Sequence, residues 1–223
     1  MITNHNKQLI NELLALPDAP VILKEINAIL EEERTRRNTF YNNISEFEKA
    51  EFINGEIIIH SPVKKEHNDV TGSLYQLLNT YVKKKKLGYV GYEKIMISLS
   101  RNDYEPDICF FQNEKAQTFK KGQSLFPAPD LVIEVLSTKT AGNDRGIKFS
   151  DYQAHQIREY WIIDPDKEIL EQYRLNDQNE YELILKARKG MLDCVPVNGF
   201  KIEIEAVFDE DKNLEELLRI LNL

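Results

Sequence analysis

Two carboxylates set against apolar runs are the residues of this sequence whose placement most calls for chemistry. EPDICFF puts Asp107 directly before an apolar run, and PDLVIEVLS holds Glu134 inside one. A carboxylate in an apolar strand is costly unless a cation, a hydrogen-bond donor or a metal faces it. Along the second stretch, Val132, Glu134 and Leu136 alternate onto one face. If the two strands are neighbours, both carboxylates converge at one end of a sheet. Hard cations such as Mg²⁺ take one or two carboxylates and complete their shell with water and phosphate oxygens. A metal also offsets the repulsion between two close anions. That is the minimum for metal-assisted phosphodiester cleavage, in which the metal polarises the phosphate and lowers the pKa of a bound water. The structural alternative is an internal salt bridge for Glu134 and a turn-capping role for Asp107 after Pro106.

Such a site wants a cation to orient water or to stabilise charge on phosphorus. The same-face position two residues after Glu134 is Leu136. The following helix offers a substitute. Asp144, Lys148, Tyr152 and His155 recur at spacings of four, four and three, which places them on one helical face. Lys148 could reach between the carboxylates, or could be a surface lysine paired with Asp144. Lys139 is a rival on the intervening loop. His67, in the first turn of a helix after HSPVKKE, could bind phosphate, move a proton or hold a carboxylate, or make an ordinary helix-end contact. Glu51 and Glu56 flank an Asn54-Gly55 turn. Either could supply a further carboxylate, and either could be a plain exposed strand residue.

The elements that would position these groups can be read along the chain. Residues 6–16 and 20–38 read as two helices divided by Pro17-Asp18-Ala19-Pro20, the second ending in an exposed, highly charged EEERTRRN. AEFINGEIIIHSP is a hairpin around Asn54-Gly55. HNDVTGSLYQLLNTYVKKKK carries Val70, Leu74, Leu77, Leu78 and Tyr81 at helical spacing, and its lysines suit the helix C-terminus. YVGYEKIMISLS, EPDICFFQ, PDLVIEVLS and REYWIIDP read as strands. Residues 112–129 read as a loop, DRGIKFSDYQAHQI as one helix, EILEQYRL and YELILKA as a second hairpin, and KIEIEAVF as a strand. NLEELLRILNL is a final helix with Leu214, Leu217, Leu218 and Leu221 inward. Helices interleave with strands, so a mixed α/β sheet with flanking helices is expected.

Composition bounds the rest. The chain has 223 residues and a net charge of −8, ordinary for one soluble domain with an extension and not the profile of a basic nucleic-acid binder. Basic clusters are local: Arg34–Arg37, Lys64–Lys65, Lys83–Lys86 and Arg188–Lys189. No apolar run is long enough to span a membrane and the N-terminus lacks the pattern of a secretory signal, so a cytoplasmic protein without a membrane partner is expected. Cys109 and Cys194 form no CxxC pair, and the four histidines lack zinc-site spacing. Neither a GxSxG elbow nor a glycine-rich phosphate loop is present.

EPDICFF, PDLVIEVLS, a helix with Asp144 and Lys148, and REYWIIDP together resemble the Uma family of endonucleases, within the PD-(D/E)xK, restriction-endonuclease-like superfamily. AEFINGEIIIHSP followed by His67 is similar to that family's N-terminal block, and the resemblance covers roughly residues 46–208. It implies a restriction-endonuclease-like mixed sheet flanked by helices in residues 46–223, with residues 1–45 as an N-terminal helical extension. It further implies a metal site of Asp107 and Glu134 for Mg²⁺ or Mn²⁺. The lysine of the second motif is displaced, and Lys148 takes its role. His67 is implied as an assisting residue, with Glu51, Glu56 and Asp144 in support. The expected reaction is hydrolysis of phosphodiester bonds in DNA, with RNA left open, and cutting a duplex favours a homodimer by symmetry. The alternative is a catalytically inactive module on the same fold that binds nucleic acid or protein.

Overall fold

A computed structural model describes residues 4–45 and 48–223. Residue 46, the expected start of the main domain, lies outside the described residues. Helix α1 (Asn4–Leu14) is followed by α2 (Ala19–Asn43), whose first turn contains Pro20, where a missing N–H costs nothing. Strands β1 (Ala50–Ile53) and β2 (Glu56–Ile59) form the expected hairpin. Asn54 and Gly55 both take positive φ, 51° and 84°, as a type I′ turn requires. Helix α3 (Lys65–Lys85) buries Val70, Leu74, Leu77, Leu78 and Tyr81 and ends on Lys83, Lys84 and Lys85.

After α3 come β3 (Gly88–Tyr92), β4 (Met96–Ser98), β5 (Asp103–Tyr104) and β6 (Ile108–Gln112). The stretch 112–129 is not a bare loop. It holds a one-turn helix, α4 (Asn113–Ala116), and a short strand, β7 (Leu125–Phe126). Aromatic packing fixes it: the Phe119 ring lies 5.0 Å from Phe111 and 5.1 Å from Phe126. Strand β8 is Leu131–Val135. The helix expected across 144–157 is two, α5 (Ala141–Arg145) and α6 (Ile147–Ala154), broken at Gly146. A Cβ at Gly146 would sit 2.8 Å from the Gly142 carbonyl oxygen, so this tight junction needs glycine.

Strands β9 (Glu159–Asp164), β10 (Ile169–Leu175), β11 (Tyr181–Ala187), β12 (Met191–Cys194) and β13 (Phe200–Glu203) follow, then α7 (Glu210–Asn222). KIEIEAVF is a strand only to Glu203. Ile204–Val207 turn into a 3-10 helix that buries Ile204, Ala206 and Val207, which strand alternation would not do. Helix α7 is also rotated from expectation. Leu214, Leu218 and Leu221 are exposed, whereas Asn213, Glu216 and Ile220 are buried. Specific polar bonds set that face. Asn213 donates to the Ser73 and Ala206 carbonyls, and Glu216 accepts from Arg219 and from the Glu203 N–H.

The main sheet has the order β11-β10-β9-β8-β6-β3, with only β8 and β9 parallel among its pairs. A second sheet, β2-β1-β5-β4-β7, and the β12-β13 ribbon complete the architecture. Alternation along β8 divides the core. Leu131, Ile133 and Val135 pack with α3 and the C-terminal elements, whereas Val132 joins Phe111, Tyr152 and Tyr160 on the opposite face. Glu134 shares that opposite face, between the main sheet, α6 and the second sheet. No helix among the described residues is long and apolar enough to cross a membrane.

The charged end of α2 is partly folded in rather than solvated. Asp103 is fully buried in β5 and therefore needs a partner. Arg37 supplies one, donating to both of its carboxylate oxygens at 2.6 Å, and Tyr41 adds a hydroxyl. Glu33 accepts two bonds from Arg101 in the same region.

A second charged cluster ties α5 to the sheet. Glu171 accepts from Arg145, Lys186 and Tyr173. Burial pushes its pKa up, but these donors outweigh burial and bring it to about 2. A depressed folded-state pKa stabilises above the unfolded value and is lost as pH falls through the folded one. Arg145 and Lys186 are themselves exposed, so screening keeps the effect to about 1–2 kcal/mol. Glu171→Gln should lower stability by that amount at neutral pH. Its denaturation midpoint should converge with wild type between pH 4.5 and 2, the window set by the ordinary glutamate value and the folded one; a gap that persists at the acid end would contradict this.

Candidate active site

Strand register brings the two motif carboxylates together. In the antiparallel β6–β8 pair, Ile108 lies opposite Ile133, so Asp107 and Glu134 occupy the next step of the ladder. The Val135 N–H donates to Asp107 Oδ2 at 2.9 Å and locks the aspartate to β8. Both carboxylates line one cavity of about 570 Å³, together with Glu51, His67, Asp144 and Lys148.

Lys148 reaches the carboxylates from the second residue of α6. Its ammonium lies 3.0 Å from Glu134, 2.9 Å from Glu51 and 3.2 Å from Asp144, and the side chain is buried. Burial alone would push this amine toward neutrality. The three carboxylates reverse that and hold its pKa well above the ordinary lysine value. Lys148 is therefore a fixed cation, able to donate hydrogen bonds and unable to accept a proton. Tyr152, one helical turn on, donates its hydroxyl to Glu134 Oε1 at 2.9 Å. Lys148 binds that same oxygen, so neither group engages Oε2.

The carboxylates fare differently. Burial raises the Asp107 pKa, but Lys49 at 2.8 Å and His67 Nε2 at 3.2 Å outweigh it and leave the group well below its usual range. Glu51 behaves likewise: burial is overcome by Lys148 and His60, and its pKa falls to about 2. Glu134 goes the other way. Burial, with Asp144, Asp107 and Glu51 close by, outweighs the attraction of Lys148 and lifts it to about 8. Asp144 is also raised, chiefly by burial. Asp107 and Glu93 thus pair with Lys49, and Glu51, Glu134 and Asp144 with Lys148, so five carboxylates meet two ammonium groups, a surplus of three negative charges when all are ionised.

The other sequence candidates divide. His67 is buried beside Asp107, and its carbonyl accepts from Thr71 one turn on. Lys139 lines the cavity and donates to Ser61 at 3.0 Å, away from the Glu134 carboxylate that Lys148 occupies. Glu56 is exposed at the hairpin turn and takes no part in the cavity. His155 leaves the shared helical face: it lies past the end of α6, where it accepts from the Ser100 N–H and stands beside Asp151.

Lys49 and His60 are missing from the sequence candidates. His60 Nε2 stands 3.1 Å from Glu51 Oε2, and Lys49 is the closest cation to Asp107. The signal for Lys49 was its place two residues before Glu51, on the same side of an extended segment. Lys49→Met should leave Asp107 buried with one cation fewer. The Asp107 pKa should then move upward, read by NMR titration of its carboxyl against wild type. An unmoved pKa would show that Lys49 does not govern Asp107.

The donor set fits a hard divalent cation. Buried Glu51 Oε2 and Asp144 Oδ1 form ion pairs with His60 and Lys148 at 3.1 and 3.2 Å but no aligned hydrogen bond, so each keeps a lone pair that a cation can use, beside the cluster's surplus charge. No group of three His, Cys, Asp or Glu side chains among the described residues is arranged as a ready-made metal cage. Mg²⁺ does not need one, because it commonly binds through one or two carboxylates and keeps water and phosphate oxygens for the rest.

A family model described as "Uma2: Putative restriction endonuclease" matches residues 38–204, most of the chain and every residue of the cavity cluster. The chain belongs to the Uma2 family. Its similarity to an uncharacterized protein of Synechocystis sp. is 34% identity over 119 residues, covering 52% of this chain and 67% of the other. The fold resembles the crystal structure of a putative nuclease belonging to DUF820 from Anabaena variabilis, with a TM-score of 0.62 at 20% identity over 75% of this chain and 90% of that one. The Uma2 match begins at residue 38, so α1 and most of α2 lie outside it.

Proposed function

We propose that this Uma2 protein is a divalent-metal-dependent endonuclease that hydrolyses phosphodiester bonds in DNA. One observation carries the reading: a surplus of buried carboxylate around Asp107 and Glu134, with a lysine fixed as a cation at its centre. Asp107 and Glu134 would hold Mg²⁺ or Mn²⁺. The metal would supply positive charge to the scissile phosphate and acidify a bound water.

The chain's own groups have separable tasks. Lys148 donates hydrogen bonds to the attacking water or to a phosphate oxygen, and its charge favours the more anionic transition state. Glu51 and Asp144 keep Lys148 charged and in place. Tyr152 orients Glu134, whereas Lys49 and His67 orient Asp107. Lys64 and Lys139 line the cavity and give the backbone of a nucleic acid a cationic approach on an otherwise acidic chain.

Plasmid nicking with Mg²⁺ or Mn²⁺, against EDTA and against RNA substrates, tests the reading. Metal-dependent cleavage by wild type that Asp107→Asn abolishes is the expected result. Salt-sensitive DNA binding without cleavage under any metal would instead identify a binding module on the same fold.

A further inference from the structure

Helix α2 carries one continuous seam, and only half of it is covered. Leu23, Ile26, Leu30, Glu33, Arg37 and Phe40 follow each other at spacings of three and four, the signature of a single packing stripe. The C-terminal half of the stripe is bound to its own domain: Glu33 to Arg101, Arg37 to Asp103, and Phe40 against Phe52. Toward the N-terminus the same line runs past the domain. There Leu23, Ile26 and Leu30 keep 52%, 40% and 41% of their surface exposed. Helix α1 adds Ile10 and Leu14, exposed at 44% and 69%, from an amphipathic face of its own.

From this we infer that the overhanging arm, residues 4–30, is the surface through which a second copy of this chain docks, each arm covering the apolar seam of the other. Size supports that occupant. Nine large apolar side chains of residues 4–30 are exposed, more than one face of a free two-helix arm would leave in water, and a second arm of the same make-up offers an equal apolar area to cover them. Exposed patches of this kind are uncommon on monomers unless they bind something. Charge selects among partners. Residues 4–30 hold Lys7 and Lys24 against Glu12, Asp18 and Glu25, a net of −1 on a chain of −8. Two identical arms therefore meet with little repulsion. The arm lacks the rows of lysine and arginine that a lipid surface or a phosphate backbone would require. A two-fold pairing is also the commonest way for one patch to cover itself.

Self-association through the arm is independent of cleavage, so its failure and that of the nuclease reading can be told apart. The test is light scattering on the full chain at micromolar concentration. Wild type should give twice the 26.0 kDa chain mass. The double variant Leu23→Glu/Ile26→Glu should give the single-chain mass with unchanged circular dichroism, because both side chains are already exposed. Leu30→Lys reads the same seam if the double variant folds poorly. Leu218→Glu, on the other exposed leucine row of α7, should leave the dimer intact. A wild type that is monomeric, whether or not it binds vesicles or another protein, overturns the inference. So does a seam variant that keeps the doubled mass, or a dimer that only Leu218→Glu dissociates.

Discussion

Lys148→Met should abolish most cleavage and make the protein less stable as pH rises. The ammonium contacts three buried carboxylates, Glu51, Glu134 and Asp144. Removing one partner of a buried ionic cluster typically costs about 3–5 kcal/mol, because the remaining charges are left unpaired. The carboxylates can escape that cost by taking up protons. Glu134 is already raised by burial to about 8 with the lysine present, and losing Lys148 removes the largest force lowering it. A raised folded-state carboxyl pKa contributes stability below the unfolded value of about 4.3 and loses it as pH climbs through the folded value. The variant should therefore approach wild-type stability in mild acid and fall away from it above neutrality. Chemical denaturation at a series of pH values reads this directly. A constant gap across the range would mean that the cluster does not exchange lysine for protons. Activity should fall about 10²–10³-fold, the scale of losing one preorganised donor to developing charge. If Lys148 acted only as a strut, cleavage at saturating metal would match wild type wherever the variant is folded. As a transition-state cation, it leaves activity low even where the fold is secure.

The placement of Lys148 beside these carboxylates was legible in the sequence as one of two alternatives, and the reason is geometric. Leu136 stands where a lysine would follow Glu134 on the strand face, and a spacing of four links Lys148 to Asp144 on the next helix. Helical periodicity survives the break at Gly146 well enough to keep that pair 3.2 Å apart. The hairpin at Asn54-Gly55, α3 and β8 were equally readable, because each rests on a local pattern: turn residues that accept positive φ, or apolar spacing of one period. What was not legible depended on partners distant in sequence. Asp103 draws Arg37 inward across 66 positions, so EEERTRRN is not simply a solvated helix end. In α7 leucine spacing pointed to one face, but Asn213 bonding the Ser73 carbonyl, 140 positions away, turns another face inward. Lys49 sits just outside a strand, so its spacing of two from Glu51 was a faint signal, and the folded contact identifies Asp107 as its partner.

Glu134→Gln separates stability from chemistry within the same cluster. Glu134 is fully enclosed, and burial with three neighbouring carboxylates lifts its pKa to about 8, so its ionised form is disfavoured in the metal-free protein. Glutamine keeps an Oε1 that can accept from Lys148 and Tyr152 and removes the charge. Because the folded value lies above the unfolded one, wild type loses stability as pH rises toward it, whereas the glutamine variant does not. Above pH 8, the metal-free variant should be more stable than wild type by about 2–4 kcal/mol. Each tenfold change in proton affinity on folding corresponds to about 1.4 kcal/mol, and a buried cluster relaxes part of that away. Metal should invert the order. Mg²⁺ bound between Asp107 and Glu134 would favour the ionised wild-type pair and raise its melting temperature, whereas the amide gains little. Cleavage by the variant should fall about 10³-fold or more, since half the proposed metal-binding pair is gone. Melting curves with EDTA and with Mg²⁺, beside a nicking assay, give the full pattern: a variant that outlasts wild type without metal, gains nothing from metal and does not cut. A Glu134→Gln protein that melts below wild type in EDTA at pH 8 would show that the glutamate is held as a structural anion. The surplus charge would then belong to the fold rather than to a site kept ready for a cation.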